Sequence, residues 1–163
     1  MKRLTCLLIL LSFFLSGCDA LGERIKEPVI FYYVRENYQE EMGDVISAEV
    51  REASGHRHDL PYLLALYSMG PSQEGLLPLF PRNTTILPVE HSEDGLVLRV
   101  LDENPNMTDA EYTLACACLT MTCMELIDTE QVTVVSGDRS ITINTNNLLM
   151  TGYSSQNPQE EIE

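Results

Sequence analysis

The periodicity of apolar and polar residues divides the chain into short segments that predict strands and helices. Residues 29–34 are β-branched or aromatic throughout, which predicts a strand covered on both faces. Residues 45–51 fit a second strand, although the same pattern could begin a helix. Residues 75–81 are apolar but are interrupted by two prolines, so we expect a packed loop there rather than a strand or a helix.

A short helix is predicted between Asp59 and Gly70. Asp59 can cap free backbone amides, and Pro61 would stand in the first turn, where its missing N–H does no harm. Gly70 tolerates the left-handed conformation that ends a helix, and Pro71 cannot continue the hydrogen-bond ladder. The buried face of this helix is predicted to consist of Leu63, Leu64, Leu66 and Tyr67.

Two pairs of β-rich segments flank turn sequences. Asp94–Gly95 lies between residues 84–91 and 96–101, and an Asp-Gly pair in this position predicts a hairpin. Residues 132–135 and 141–143 alternate around a Gly-Asp pair, which predicts a closing hairpin or a strand with its extension.

A longer helix is predicted over residues 109–127, where Thr108 and Glu111 have the spacing of a capping box. At about 100° per residue, one apolar sector is expected to face the sheet. Its members are Tyr112, Ala115, Cys116, Leu119, Cys123, Leu126 and Ile127. The opposite side is also apolar and gives a candidate interface consisting of Leu114, Cys118, Met121 and Met124. Either the first helix packs alongside this side, or another subunit covers it.

These elements predict one α+β or α/β domain, in which a twisted mixed or antiparallel sheet carries two helices on one face. The domain is placed at residues 28–150 and follows a polar tether at residues 18–27. Residues 151–163 are polar and acidic, and we expect them to be a disordered tail.

The start of the chain has the three-part order of an export signal, with a charged beginning, an apolar run over residues 7–15 and the small pair Ser16–Gly17. The run is too short for a membrane-spanning helix, which needs about 20 residues. Residues 15–18 read Leu-Ser-Gly-Cys and resemble the lipobox of bacterial lipoproteins. This resemblance implies that residues 1–17 are a removed signal peptide and that Cys18 is lipidated at the extracytoplasmic face of the cell membrane. An ordinary secretory signal followed by a chance cysteine is the alternative.

The charge of the chain restricts its partners. It contains 25 acidic and 10 basic residues among 163, which gives a formal net charge of −15. DNA, RNA and anionic headgroups are repelled by such a charge, so we expect no nucleic-acid partner. Cationic partners and loosely held divalent ions are electrostatically compatible with it.

No catalytic residue, cofactor or metal site is predicted. In a helix, Cys116 and Cys123 lie about 10.5 Å apart along the axis, beyond the roughly 7 Å that a disulfide spans. Cys116 and Cys118 point about 200° apart and cannot share a metal ion, so all three thiols are expected to be buried and inert. An extended segment would place His56 and His58 on one side, but without a third ligand a solvated loop is the more ordinary interpretation.

The order of the segments is similar to that of the GerM-like domain of sporulation and spore germination proteins. The similarity rests on residues 63–66, Gly70–Pro71, Gly75–Leu76, Phe80–Pro81, the first hairpin, Leu119–Thr122 and Val132–Val134. Residues 97–102 depart from the Val-Asp-Leu-Ser-like ending of the hairpin that family members often have, and the chain shows no internal repeat. The resemblance implies a fold akin to ring-building modules, attachment to a membrane, and assembly without catalysis.

The sequence therefore favours a non-enzymatic, lipid-anchored protein that associates with itself or with other envelope proteins, in sporulation or spore germination. The alternative is a ligand-binding lipoprotein that presents a small molecule or a cell-wall fragment, with Tyr32 and Tyr62 as the residues to test. An enzyme ranks third, because the sequence brings no catalytic constellation together.

Overall fold

The chain folds into strands and helices close to those that the sequence predicts. The computed structural model describes residues 25–38, 44–92, 95–101 and 106–146. The elements within these residues are β1 (Pro28–Arg35), β2 (Ile46–Glu52), α1 (Leu60–Ser68), β3 (Leu76–Leu77), β4 (Ile86–Ser92), β5 (Gly95–Val100), α2 (Asp109–Leu126), β6 (Gln131–Ser136) and β7 (Arg139–Asn144).

The first sheet has the antiparallel strand order β2-β1-β3. β2 pairs with almost the whole of β1, so the interpretation of residues 45–51 as a strand is confirmed. The prediction of a loop throughout residues 75–81 is wrong at β3, where Leu76 pairs with Arg35 and Leu77 pairs with Val34. A strand of two residues is too short to show the period-two alternation by which strands are recognised.

The second sheet has the strand order β4-β5-β6-β7. The two predicted hairpins are its outer pairs, and both are antiparallel. β5 and β6 are parallel, and α2 lies in the connection between them. Parallel neighbours need a long crossover of this kind, because a tight turn can join only antiparallel strands.

Both helices begin and end at the predicted signals. Asp59 Oδ1 accepts a hydrogen bond from the Tyr62 N–H at 3.1 Å, and Gly70 adopts φ 84° just after α1. Thr108 Oγ1 accepts from the Glu111 N–H at 3.2 Å, and Glu111 Oε2 accepts from the Thr108 N–H at 2.9 Å. The hydrogen bonds that the Thr108 N–H and hydroxyl donate to Glu111 Oε2 lower the pKa of Glu111 below its ordinary value.

α2 packs against β1 of the first sheet and against β6 and β7 of the second. Five members of its predicted inward sector are fully buried, and Leu126 and Ile127 pack at the margin of the core. The predicted class, a single domain of mixed α and β structure with two helices, is confirmed. Its strands divide between two sheets, because β1 pairs with β2 and β3 and turns its remaining edge toward α2.

Candidate functional site

The outer side of α2 carries the residues that the sequence offers as a candidate interface. Leu114, Met121 and Met124 are partly exposed, whereas Cys118 is only 2% exposed. Cys118 precedes Thr122 by one helical turn, and Thr122 hydrogen-bonds to β1, so the strand lies close to this part of the helix. Cys118 therefore contributes no accessible surface, and the other three residues do.

Tyr32 of β1 joins the outer side of α2 to the first sheet. Its backbone N–H donates to Thr122 Oγ1 at 3.0 Å, so the helix covers an edge group of the strand that would otherwise be open. The Tyr32 hydroxyl donates to Glu125 Oε1 at 3.2 Å. Burial and, to a smaller extent, the negative charge of Glu125 raise the pKa of Tyr32 above its ordinary value. The helix and the strand thus share one continuous surface.

β2 turns its apolar residues outward, which reverses the usual alternation of a sheet that covers a core. Val50 is 50% exposed and Ile46 is partly exposed, whereas Glu49 between them is buried. The register explains the reversal, since Glu49 pairs with the core residue Phe31 and shares its face of the sheet.

We call the exposed and partly exposed apolar side chains of these three elements the outer surface. It consists of Ile30, Tyr32, Ile46, Val50, Leu114, Met121 and Met124. Sequence reasoning found only its helical part. The strand residues could not be assigned to it because apolar residues in a strand ordinarily indicate the buried face.

The inner face of β2 carries a buried polar cluster that sequence reasoning missed. Glu49 is 5% exposed, and its Oε1 accepts from the Ser72 N–H at 3.0 Å and from the Ser72 hydroxyl at 2.8 Å. Its Oε2 has no hydrogen-bond partner among the described residues. Arg51 donates to the carbonyl oxygens of Leu66 and Gly70 at 3.3 and 3.2 Å. The cluster therefore fixes the end of α1 and the segment after it to the first sheet.

Aromatic rings lie beside this cluster. Tyr67 of α1 stacks on Tyr33 with a centroid separation of 4.9 Å, and the Tyr33 hydroxyl donates to the Tyr67 carbonyl oxygen at 2.9 Å. Burial raises the pKa of both phenols well above the ordinary value. Neither phenol is poised to exchange a proton near neutral pH, so this arrangement is suited to packing.

A groove of about 470 Å³ separates α1 from the start of β4. Its lining consists of Pro61, Tyr62, Ala65, Leu66, Ser68, Met69, Asn83, Thr84, Thr85, Ile86 and Leu87, none of which is charged. Met69 is 54% exposed and Leu87 is 44% exposed, so large apolar side chains remain accessible at the rim. The sequence singled out Tyr62 of this group, and Tyr32 lies elsewhere, on the outer surface.

The three thiols of α2 are buried, as predicted. Burial raises the pKa of Cys116, Cys118 and Cys123 to about 12 in each case. A thiol with such a pKa is almost entirely protonated at neutral pH and is a poor nucleophile and metal ligand. These side chains act as small apolar residues between the two sheets.

The histidine loop differs from the geometry that the sequence suggested. Residues 54–58 form turns rather than an extended segment, so His56 and His58 do not project in parallel from a strand. The His56 ring stacks on Tyr62 at 4.1 Å, and its Nδ1 lies 3.7 Å from Asp59 Oδ2. Across the described residues, no group of three or more His, Cys, Asp and Glu side chains is arranged to hold a metal ion.

The predicted lipidation site, Cys18, lies outside the described residues, as do the export signal and the acidic tail. The boundaries proposed for the signal, tether, domain and tail therefore stay predictions. Neither helix in the described part of the chain is long and apolar enough to cross a membrane.

Comparison with known proteins gives one structural similarity. No protein-family model and no curated protein matches the chain. A crystal structure described as that of a "Putative Lipoprotein from Clostridium perfringens" aligns with a TM-score of 0.44 and 15% sequence identity, covering 74% of this chain and 89% of the other. A similarity of this extent does not carry an argument about function, and the resemblance to the GerM-like domain stays a hypothesis.

Proposed function

We propose that this protein is a lipid-anchored extracytoplasmic lipoprotein without enzymatic activity, which acts by binding other protein surfaces. The proposed anchor is Cys18, and the proposed partners are further copies of the chain or other envelope proteins. The resemblance to GerM-like domains makes sporulation or spore germination the proposed setting.

The observation that supports binding is the outer surface. Its apolar side chains come from three elements, and the two hydrogen bonds of Tyr32 hold the strand and the helix together. Exposed apolar side chains on neighbouring elements are typical of protein interfaces. In addition, buried thiols and phenols with raised pKa values are poor candidates for acid, base or nucleophile.

The test of the outer surface is a charge placed on its helical part. In the chain from residue 19 onward, which keeps every described residue, Met121→Glu should weaken self-association or envelope-partner binding at least tenfold. Ser140→Glu is the control, because Ser140 is exposed on β7 and lies outside the outer surface. Light scattering over a wide concentration range, with partner capture from envelope extracts, provides the readout. Association that is identical in both variants would rule the outer surface out.

The test of the anchor is independent of the interface. Replacing Cys18 by Ser in the full chain should abolish incorporation of labelled fatty acid. Equal incorporation in the variant would contradict lipidation at Cys18.

A ligand-binding lipoprotein is the second candidate, and the groove beside Tyr62 is the observation that favours it. Its volume falls within the range of about 300–1,000 Å³ that is usual for small-molecule sites.

A further inference from the structure

The groove between α1 and β4 lies along an edge of the second sheet. β4 is the terminal strand of that sheet, and among the described residues it pairs only with β5. The Leu101 N–H donates to the Thr85 carbonyl oxygen at 2.9 Å, so the backbone groups of Thr85 point toward β5. Because successive residues of a strand point their backbone groups to opposite sides, those of Ile86 point away from β5. Ile86 therefore offers an N–H and a C=O to the groove that it lines.

Pro88 limits how far a strand could pair along this edge. By the same alternation, Pro88 stands where an N–H would face outward, and proline has none. The register shifts between Pro88 and Glu90, which bends the strand just beyond the groove. The edge of β4 therefore offers a backbone N–H and C=O at Ile86 but lacks an outward N–H at Pro88. Such an edge can pair with a short segment and does not support unlimited sheet growth.

The groove also restricts the chemistry of its occupant. Charged residues make up 21% of the chain and give it a net charge of −15, yet none of the described residues that line the groove is charged. A cationic group entering this groove would lose solvation without an acidic lining residue to compensate it. The complement of such a lining is an uncharged segment whose side chains contact Leu66, Met69 and Leu87.

The apolar part of the chain's own C-terminal segment cannot reach this place. β7 ends at Asn144, opposite Gln131 and near Gly95, at the end of the second sheet remote from Ile86. The separation is about 20 Å along the strands and about 14 Å across three strand spacings. Met150 follows Asn146 by four residues, which span at most about 14 Å. A segment of another molecule is therefore a better candidate for the occupant than residues 148–150.

We infer that the groove binds a short, extended, uncharged and apolar peptide segment of a partner protein, which adds as a strand to β4 at Ile86. Main-chain hydrogen bonds to Ile86 supply the alignment, and one side-chain row enters the groove against α1. This inference goes beyond the proposed function, because it uses neither the outer surface nor the lipid anchor.

The probes are capped hexapeptides in which Val, Leu or Ile alternates with Thr or Ser, used with the chain from residue 19 onward. We expect saturable binding with amide shifts at Thr85, Ile86 and Met69 by nuclear magnetic resonance. Replacing one apolar peptide residue by Lys should weaken binding at least tenfold. Two N-methylated versions, methylated in opposite alternating phases, should differ, because only one phase blocks the hydrogen bonds to Ile86.

A protein variant provides a second line of test. Ala65→Glu places a charge in the groove at an exposed helical position and should weaken peptide binding at least tenfold. Thr113→Glu, at an exposed position of α2, should leave binding unchanged. Circular dichroism confirms that both variants are folded.

Several results would overturn the inference. The first is the absence of saturable binding by any probe, and the second is equal binding of charged and uncharged probes. The third is equal binding of the two methylated peptides, which would indicate that the groove is a small-molecule pocket. A change in oligomeric mass on Ala65→Glu would instead identify a second copy as the occupant. The response of association to Met121→Glu is measured separately, so failure here is distinguishable from failure of the proposed function.

Discussion

The two sheets of this domain use opposite arrangements of polar and apolar residues. In the second sheet, Leu96, Leu98, Val132 and Val134 face the core and are at most 1% exposed. In the first sheet, β2 presents Glu49 and Arg51 to the interior and Val50 to solvent. The second sheet is held by apolar packing. The first sheet also depends on the hydrogen bonds that Glu49 and Arg51 form with the segment after α1.

This difference shows where a surface for partners can arise. The inward side chains of β2 are polar and form hydrogen bonds, so the apolar side chains of this strand face outward. They lie on the same side of the domain as the exposed side of α2. The second sheet has no such reversal among its core strands, and its most exposed apolar residues, Leu87 and Val89, lie on the edge strand β4. Each sheet therefore provides one candidate binding region of a different kind.

The largest expected effect is in the packed sheet. Leu98→Ala removes a fully buried side chain from β5 and leaves a cavity, so the free energy of unfolding should fall by about 2–5 kcal/mol. Urea denaturation measures the change. Leu87→Ala, on the exposed face of β4, is the control and should cost far less. Equal losses would contradict the assignment of the core to the inner face of the second sheet.

A smaller effect is expected from the polar cluster of the first sheet. Glu49→Ala leaves the Ser72 N–H and hydroxyl without their acceptor, so the free energy of unfolding should fall by about 1–3 kcal/mol. Glu52→Ala, at an exposed position of the same strand, should change stability by less than about 0.5 kcal/mol. A double-mutant cycle with Ser72→Ala should show coupling, and additive losses would indicate that the two residues do not interact.

The sequence predicts the second sheet more completely than the first sheet. The second sheet and α2 were predictable because Asp94–Gly95, the capping box at Thr108 and period-two alternation are local signals. The two-residue strand β3 was not, because its pairing with β1 is decided by tertiary contacts.

The candidate sites were predicted less completely than the fold. Leu114, Met121 and Met124 were found by helical projection, which also placed Cys118 on the outer side because a projection does not show that β1 packs beside Thr122. The strand residues of the outer surface escaped prediction because the usual alternation assigns them to a core. The groove joins α1 to β4, and no local pattern reports that two such segments meet.

The thiols of α2 provide a test of how closely the two sheets enclose the helix. Burial raises the pKa of Cys123 to about 12, whereas an exposed thiol titrates near 8.5. Between these values the unfolded chain loses the proton and the folded chain keeps it, so stability falls as pH rises. The slope contributed by this thiol is about 1.4 kcal/mol per pH unit above roughly pH 9, and it should disappear in Cys123→Ala.

Denaturation curves of the two proteins at pH 7, 9, 10 and 11 measure that slope. Below about pH 8 both proteins should depend on pH in the same way, since the thiol is then protonated in both states. An identical slope above pH 9 would mean that Cys123 is accessible to solvent in the folded protein.

The smallest expected effect concerns the contact between α2 and the first sheet. Thr122→Val removes the acceptor of the Tyr32 N–H, and the free energy of unfolding should fall by about 1 kcal/mol. Thr120→Val is a matched change on the same helix, where the buried hydroxyl has no partner among the described residues. That substitution should leave stability unchanged or raise it, because an unsatisfied polar group is replaced by an apolar one of similar shape. Equal effects of the two substitutions would show that the hydrogen bond to β1 does not contribute to holding the helix against the first sheet.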